Sequence, residues 1–268
     1  MILTTYFDIN MKKITIYTMA MLFTGLFACE KNLIEANQKW EFPNSNNTNL
    51  KVVNAYTSNV PAPPPAVGSS TTFFIYQNSN KLNGNALGAA GSWPGPTTYA
   101  NISAGSNNFN ILLSRRIGND YSAPVRGDTA FRGSIAMEPG KYYTMFMIGE
   151  SPTQSLFTVE DKINDPKENF YAVRFANLVV SVIPKPIDVF SRRERKKVAT
   201  NLVYKSVTDF TELSIPTTTD TLDVMDAGTT KILYSLNTFT PTSRRIYTFY
   251  TYGRTGFAIE RLNSYTNR

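Results

Sequence analysis

The sequence predicts an all-β protein with two tandem β-sandwich domains that follow a lipoprotein signal peptide. Short runs of Tyr, Phe, Val, Ile and Thr alternate with polar residues and are separated by Gly, Pro and Asn. This is the pattern of strands joined by turns, and no long stretch has the periodicity of an amphipathic helix. In the first half, the clearest strand patterns cover residues 51–53, 72–76, 109–113 and 141–148.

The second half of the chain repeats the first. Residues 141–149 align with residues 245–253, and the identical pairs are Tyr143 and Tyr247, Thr144 and Thr248, and Gly149 and Gly253. Further aligned segments are 53–55 with 175–177, 99–102 with 210–213, 109–111 with 222–224 and, more roughly, 155–160 with 256–261. The first copy is the longer one, and we place its additional residues in surface loops, the Pro-rich segment 61–65 and a loop at 118–132.

These alignments divide the chain into five predicted parts. Residues 1–28 form the signal peptide, and residues 29–49 form a lipidated cysteine with a polar tether. Residues 50–163 form the first β-sandwich, residues 164–170 a linker, and residues 171–268 the second β-sandwich. Each copy has roughly 100 residues, which is enough for a hydrophobic core of its own.

The N-terminal region predicts export and lipidation. Cys29 is the only cysteine, and it follows an apolar run at residues 14–28 that suits a signal-peptide core and is short for a transmembrane helix. Residues 26–29 resemble the lipobox at which lipoproteins are cleaved and acylated, although Phe27 is bulkier than usual there. Met11, directly before two lysines, is the more ordinary start of such a signal. The alternatives are a plain secretory signal with an incidental cysteine, or an uncleaved anchor.

The predicted location is the bacterial outer membrane, to which the lipid on Cys29 attaches the protein. Glu30 is the second residue of the predicted mature chain, whereas aspartate at that position is linked to inner-membrane retention. The periplasmic face and the cell surface are both compatible with these residues. The formal charge of +7 is a mild excess that favours anionic surfaces without specifying one.

Short motifs in both copies carry a resemblance to a known family. Residues 53–55 are Val-Asn-Ala, and the next strand is Phe-Ile-Tyr at 74–76 or Asp-Val-Phe at 188–190. Tyr-x-x-Ile-x-Ala-Gly follows at 99–105, then a Phe-x-Ile strand at 109–111 and an aromatic strand that ends in Gly. With these motifs the chain resembles the bacterial domain of unknown function 4397 family, in two tandem copies.

This resemblance covers about residues 50–163 and 171–266 and implies immunoglobulin-like β-sandwiches. It also implies an exported protein, since domains of this kind occur in lipoproteins of Bacteroidota. It implies no activity and no catalytic residues. The second copy departs from the pattern at residues 216–218, where Pro-Thr-Thr replaces the Ala-Gly turn.

The composition excludes most catalytic chemistry. The chain has no histidine, which removes Ser-His-Asp and Cys-His nucleophilic sites and every zinc site that needs histidine. Ser-x-x-Lys dyads and phosphate-binding Gly-rich loops are also absent from the sequence. Paired carboxylates are the remaining catalytic route, but surface charges are the more ordinary interpretation of Glu138, Glu150, Glu160, Asp161 and Glu168. We therefore expect a protein that is not an enzyme and uses no cofactor.

The acidic residues Asp220, Asp223 and Asp226 invite comparison with a calcium site. Strand alternation sends Asp223 to the face opposite the other two, and the spacing of an EF-hand loop is missing. We expect no metal here.

A run of cations is the most pronounced charge feature of the sequence: Arg192, Arg193, Arg195, Lys196 and Lys197. We expect a hairpin tip or a charged edge strand, whose charges discourage edge-to-edge pairing. The functional alternative is contact with an anionic lipopolysaccharide or an acidic glycan. Nucleic acid is not an expected partner, because no recognised nucleic-acid module accompanies the run.

Aromatic residues offer a second kind of contact. Trp93 lies in a Pro-rich loop, where it either stacks on a sugar ring or caps the core. Tyr250 and Tyr252 share one strand face and form an aromatic platform if that face points outward, and packing in the core is the alternative. Thr129 and Thr221 lie in Asp-Thr-Ala and Asp-Thr-Leu, which resemble a short O-glycosylation motif of Bacteroidota.

The expected function is binding without catalysis. The leading hypothesis is a binding or adhesion module for a glycan or another envelope polymer, and it requires exposed aromatic rings. The alternative hypothesis is a structural subunit that docks on another outer-membrane protein, and it requires a contiguous apolar surface.

Overall fold

The computed structural model describes residues 46–56, 72–114, 124–149, 154–180, 185–215, 219–253 and 261–267. These residues belong to one structural unit, Asn46–Arg268. Cys29, the predicted signal peptide, the tether as far as residue 45 and Glu150 lie outside the described residues. In the described part of the chain, no helix is long and apolar enough to span a membrane.

Each copy of the repeat contributes nine strands within the described residues. The strands of the first copy are β1 Asn47–Asn54, β2 Phe73–Gln77, β3 Asn80–Lys81, β4 Ser92–Trp93, β5 Ala100–Ser103, β6 Gly105–Ser114, β7 Pro124–Met137, β8 Tyr142–Ile148 and β9 Ser155–Glu160. The strands of the second copy are β10 Phe170–Asn177, β11 Ile187–Ser191, β12 Lys196–Leu202, β13 Ser206–Val207, β14 Thr211–Ser214, β15 Asp220–Asp226, β16 Ile232–Phe239, β17 Ile246–Tyr252 and β18 Arg261–Thr266.

Each copy builds two sheets from these strands. In the first copy, a five-stranded sheet has the order β4-β1-β8-β9 with β5 also on β1, and a four-stranded sheet has the order β3-β2-β6-β7. The second copy repeats this with β13-β10-β17-β18, β14 on β10, and β12-β11-β15-β16. Parallel pairing occurs at the centre of the five-stranded sheets, between β1 and β8 and between β10 and β17. The prediction of an all-β fold made of sandwich-like sheets is confirmed.

A separate hydrophobic core fills each sandwich. In the first copy, Val52, Ile75 and Ile111 come from three strands and are fully buried in one cluster. In the second copy, Phe175 and Val189 lie in the corresponding cluster. The alternation of strands accounts for both cores, because every second side chain points to the same face of the sheet.

The pairing registers correct the predicted alignment by one residue at the start of the repeats. Val53 pairs with Phe146 in the first copy, and Ala176 pairs with Tyr250 in the second. Because Phe146 and Tyr250 are equivalent, Val53 corresponds to Ala176 and not to Phe175. A slip of one residue moves each side chain to the other face of a strand, so the correction changes which residues correspond.

The asparagine of the opening motif ends the first strand of each copy in the same way. Asn54 Nδ2 donates to Leu87 O at 3.1 Å, and Asn177 Nδ2 donates to Leu202 O at 2.9 Å. The Oδ1 atom of each asparagine accepts a hydrogen bond from the backbone N–H two residues further along. The asparagine therefore fixes the backbone at the end of the strand and bonds it to a later segment, at Leu87 in the first copy and at Leu202 in the second.

Four predicted boundaries shift in the structure. β1 begins at Asn47 and β10 at Phe170, so the ends of the predicted tether and linker belong to strands. β7 begins at Pro124, and the predicted loop at 118–132 is therefore strand from that residue onward. The strand equivalent to β9 is β18, which pairs with β17 as β9 pairs with β8, and not residues 256–261.

The two copies meet in a third hydrophobic cluster. It contains Val53, Ala55, Phe146 and Ile148 of the first copy and Ala176, Leu178, Tyr250, Tyr252 and Tyr265 of the second. The ring centres of Phe146 and Tyr250, which are equivalent residues, lie 5.9 Å apart. Contact between equivalent residues is typical of an isologous interface, as in a two-fold symmetric dimer. The two copies therefore pack against each other as a fused pair.

Candidate functional site

A pocket of about 780 Å³ opens on the four-stranded sheet of the first copy. Its lining includes Tyr76, Asn78, Asn108, Asn110, Arg132 and Ser134. They come from β2, β6, β7 and the turn after β2. The volume lies in the range of small-molecule sites, roughly 300–1,000 Å³. This pocket is the candidate ligand site.

Strand register places a cation, an aromatic ring, an amide and a second cation in one row across this sheet. Tyr76 pairs with Lys81 on β3 and with Asn110 on β6, and Asn110 pairs with Arg132 on β7. Ile111, the next residue along β6, lies in the core. Because side chains alternate along a strand, the row lies on the face that points away from the core.

The rim of the pocket is a two-residue turn, Asn78 and Ser79. Both residues have positive φ, 46° and 73°, as a type I′ hairpin turn requires. Asn78 N–H donates to Asn108 O at 2.9 Å, and Asn108 N–H donates to Asn78 Oδ1 at 3.0 Å. These two bonds fix the turn against β6, so the rim is organised without a ligand.

Two polar groups of the pocket have no protein partner among the described residues. Asn110 Oδ1 is buried and accepts no hydrogen bond from them. The exposed Arg132 forms no ion pair with any described carboxylate, and the lining contains no Asp or Glu. A buried acceptor left unsatisfied costs roughly 1–3 kcal/mol, and a rotation of the Asn110 side chain would be needed to bring Oδ1 to a ligand donor.

The second copy fills the equivalent face with its own side chains. Phe190 pairs with Asp223, and Asp223 pairs with Ser235, in the row that corresponds to that of the pocket. Arg192 donates two hydrogen bonds to the Asp223 carboxylate, at 2.7 and 2.9 Å, and Ser235 Oγ donates a third at 2.5 Å. Burial raises the pKa of Asp223, but these donors outweigh burial and hold the pKa below its ordinary value. In this copy the chain itself satisfies the carboxylate.

The predicted run of cations forms the turn between β11 and the edge strand β12, so the expectation of a hairpin tip and charged edge is confirmed. Its ion pairs are Arg192–Asp223, Arg193–Glu194, Lys196–Glu194 and Lys197–Asp188. Of the five cations, Arg195 alone has no carboxylate partner within the described chain. Four of the five cations thus have a carboxylate partner, and the side chains of Arg192 and Lys196 remain more than half exposed.

The aromatic candidates do not form an exposed platform. Tyr250 is 1% exposed and Tyr252 is 8% exposed, and both lie in the cluster between the copies. Tyr250 OH donates to Ala90 O of the first copy at 3.0 Å. Trp93 is half-buried and packs against the first core. All three side chains pack in or against a hydrophobic cluster, as the alternative hypothesis expected.

The threonine and aspartate candidates lie away from the pocket lining. Thr129 on β7 and Thr221 on β15 are half-buried, and their modification stays a prediction. Among the described residues, no three acidic side chains are grouped so as to hold a metal ion. Asp220 instead accepts a hydrogen bond from Ser191 at 2.5 Å.

Three of the five carboxylates considered for catalysis are held by neighbouring cations. Lys141 Nζ contacts Glu138 at 2.9 Å and Glu160 at 3.1 Å on the surface. Asp161 is buried and pairs with Arg174. Each of these groups has a structural partner, and none of them lines the pocket.

A second polar cluster lies between the two copies and is buried. Lys51 Nζ donates to Pro96 O and Thr266 O, both at 3.0 Å, and lies 4.8 Å from the ring centre of Tyr99. Burial lowers the pKa of Lys51 to about 7, and the negative charge of Asp161 opposes that shift. The lysine therefore sits in a cage of carbonyl oxygens and an aromatic face.

Arg174 occupies the equivalent position in the second copy. Its guanidinium lies 4.5 Å from the ring centre of Phe210, which corresponds to Tyr99, and it pairs with Asp161. Burial alone would lower the pKa of Arg174, but the adjacent Asp161 outweighs it and raises the pKa above its ordinary value. Protein groups contact both cations, and the cluster joins the two copies.

Comparison with known proteins does not assign a family. No family model matches the chain, and no curated protein matches it. One solved structure, of a candidate cell adhesion protein from Bacteroides fragilis NCTC 9343, is 8% identical, with 82% of this chain and 97% of that chain covered. Its TM-score of 0.17 is too low to support any structural or functional conclusion.

Sequence patterns alone do not select Tyr76, Asn110 or Arg132. Arg132 falls in a predicted loop, and its place beside Asn110 depends on a pairing between β6 and β7 that contains two register shifts. The available signal was alternation at Asn110, which lies between Phe109 and Ile111 in a strand with a strong pattern.

Proposed function

We propose that the protein is a non-catalytic binding module of the bacterial cell envelope that holds a glycan in the pocket of its first copy. The observation that carries the proposal is the row formed by Tyr76, Asn110 and Arg132 beside a pocket of about 780 Å³. A sugar presents an apolar ring face together with hydroxyl groups. An aromatic ring, an amide and a guanidinium complement those two features.

Each residue of the row has a distinct part in this proposal. The half-buried Tyr76 supplies a flat apolar surface for the sugar ring. Asn110 is half-buried, and rotation of its side chain would turn the amide towards a sugar hydroxyl. Arg132 has five N–H donors and is free to contact oxygen atoms of the ligand.

The alternative of a subunit that docks through an apolar face has less support. In the described part of the chain, the exposed large hydrophobic residues are Val203 and Ile232, at 51% and 48%. Single apolar side chains on a surface are ordinary, whereas a docking face needs a contiguous patch. We therefore prefer the glycan hypothesis.

The proposed location follows from the N-terminal region. A lipid on Cys29 would attach the protein to the outer membrane, and the polar residues before β1 would hold the sandwiches clear of the head groups. The resemblance to the domain of unknown function 4397 family, with immunoglobulin-like sandwiches, is part of the same proposal.

The test is a glycan screen with the full-length protein in detergent, followed by calorimetric titration of each hit. Tyr76→Ala is expected to weaken binding roughly ten-fold, because the stacking surface is lost. Tyr76→Phe keeps the ring and is expected to retain most of the affinity. Phe190→Leu changes the equivalent residue of the second copy and should leave binding unchanged. The proposal fails if no glycan binds, or if Tyr76→Ala binds as well as the unmodified protein.

A further inference from the structure

The charge around the pocket has one sign. Arg132 lies at one end of the row and Lys81 at the other, with Tyr76 and Asn110 between them. Lys81 Nζ already donates to Gly84 O at 3.2 Å. Its contribution to the pocket is therefore its positive charge and not a hydrogen bond. Within the described residues, nothing in the lining carries a negative charge to balance Arg132. An anionic ligand would supply that balance.

The second copy shows what this sheet face holds when it is filled. There, Arg192 and Ser235 bind the carboxylate of Asp223 with three hydrogen bonds of 2.5 to 2.9 Å. Asn110 stands at the position of Asp223, so the first copy has an amide where the second has the carboxylate. Arg132, on the neighbouring strand, pairs with Asn110. The first copy therefore has a guanidinium at this place but, among the described residues, no carboxylate beside it.

We infer that the pocket selects a carboxylate-bearing sugar, the uronic acid unit of an acidic polysaccharide, and that Arg132 binds the carboxylate. This inference rests on the proposed glycan function and names its ligand class. A guanidinium meets a planar carboxylate with two parallel hydrogen bonds, a geometry that a hydroxyl does not offer. Tyr76 then stacks on the ring of the sugar, and the Asn110 amide, once its side chain has turned outward, forms a hydrogen bond with a sugar hydroxyl.

The test uses pairs of probes that differ only in the carboxylate. Oligomers of galacturonate, glucuronate and mannuronate are titrated into the full-length protein by calorimetry, each beside its methyl ester and beside a sulfated neutral oligomer. At least one acid form is expected to bind roughly ten-fold or more tightly than its ester, because charge-assisted hydrogen bonds are the stronger ones. Arg132→Gln is expected to remove this preference, and Arg195→Gln, which changes an exposed arginine of the second copy, is expected to keep it.

A second variant tests the correspondence between the copies. Asn110→Asp places a carboxylate beside Arg132, as in the second copy, and is expected to abolish binding of the acid form with little change in thermal stability. Acid and ester of equal affinity, both weakened by Tyr76→Ala, would overturn this inference and leave the glycan function intact. A preference that survives Arg132→Gln, or tighter binding of the sulfated oligomer, would overturn it as well. Binding of no oligomer at all would contradict both proposals.

Discussion

Asp161 of the first copy and Arg174 of the second form a buried ion pair across the interface between the copies. Arg174 Nη2 donates to Asp161 Oδ1, and the two side chains are 3% and 0% exposed. Tyr99 OH and Thr144 Oγ1 donate to the other carboxylate oxygen, at 2.5 and 2.6 Å. Both oxygens of the carboxylate thus face donors, as burial of a charge requires.

Removal of this carboxylate should strongly destabilise the protein. Asp161→Ala leaves the Arg174 guanidinium buried without a counter-charge, and we expect the free energy of unfolding to fall by about 3–5 kcal/mol. Urea unfolding of the full-length protein measures the change. Lys231→Ala breaks an exposed pair with Asp226 and serves as the control, with an expected loss below about 1 kcal/mol. A loss of similar size for both variants would show that the buried pair has no special weight.

Stability should rise with pH between about pH 7 and pH 9 because of Lys51. Its folded-state pKa is about 7 and its ordinary value is 10.5, so in this window the unfolded chain holds a proton that the folded chain has released. The free energy of unfolding then increases with pH, by up to about 1.4 kcal/mol per pH unit. Urea unfolding at pH 7, 8 and 9 should show the increase, and Lys51→Met should remove it. A Lys51→Met protein with the same pH slope would contradict the assignment.

The sign should reverse above about pH 10 because of the buried tyrosines. Burial raises the pKa of Tyr99 and of Tyr250 well above the ordinary value, so the folded chain keeps protons that the unfolded chain loses. Their contribution to stability is complete below pH 10 and is lost as the pH rises further. Tyrosinate absorbance and circular dichroism should therefore change together in an alkaline titration. Ionisation of every tyrosine in the still-folded protein would contradict this expectation.

Phe146 should couple the unfolding of the two copies, because it lies in the cluster that joins them and in neither sandwich core. Phe146→Ala is expected to lower the free energy of unfolding by about 3–5 kcal/mol. The two copies should then unfold independently, and their amides should show different protection from hydrogen exchange. Tyr250→Phe, which removes the hydrogen bond to Ala90 O and the one accepted from Asn263 Nδ2 but keeps the ring, should cost about 1–2 kcal/mol. Cooperative exchange of both copies in Phe146→Ala would show that the cluster does not couple them.

The equivalence of Lys51 and Arg174 marks the limit of what the sequence could reveal. Strand patterns are strong around residues such as Ile75 and Phe109, and they predict the all-β class and the repeat. The predicted alignment nevertheless starts one residue out of register. It aligns Lys51 with Val173, so the correspondence between Lys51 and Arg174 is missed. No local pattern separates two registers that differ by one residue when both faces of a strand are buried and carry polar as well as apolar residues, as in β1.

Tyr250 shows the same limit for the candidate site. Alternation correctly groups it with Tyr252 on one face, but the sequence does not show that this face meets the other copy of the repeat. The pocket could not be predicted from the sequence for a related reason. Tyr76 and Arg132 are brought together by pairing across β2, β6 and β7. Long-range pairing of this kind is invisible to periodicity along one strand.

The most direct test of the glycan site is hydrogen exchange, followed by mass spectrometry, of the full-length protein with and without a saturating glycan from the screen. Increased protection is expected at residues 76–79, 108–110 and 132–134, which form the pocket. No change is expected at residues 190–192 and 221–223 of the second copy, where Arg192 and Asp223 already satisfy each other. Protection confined to the second copy, or spread equally over both, would contradict the proposed site.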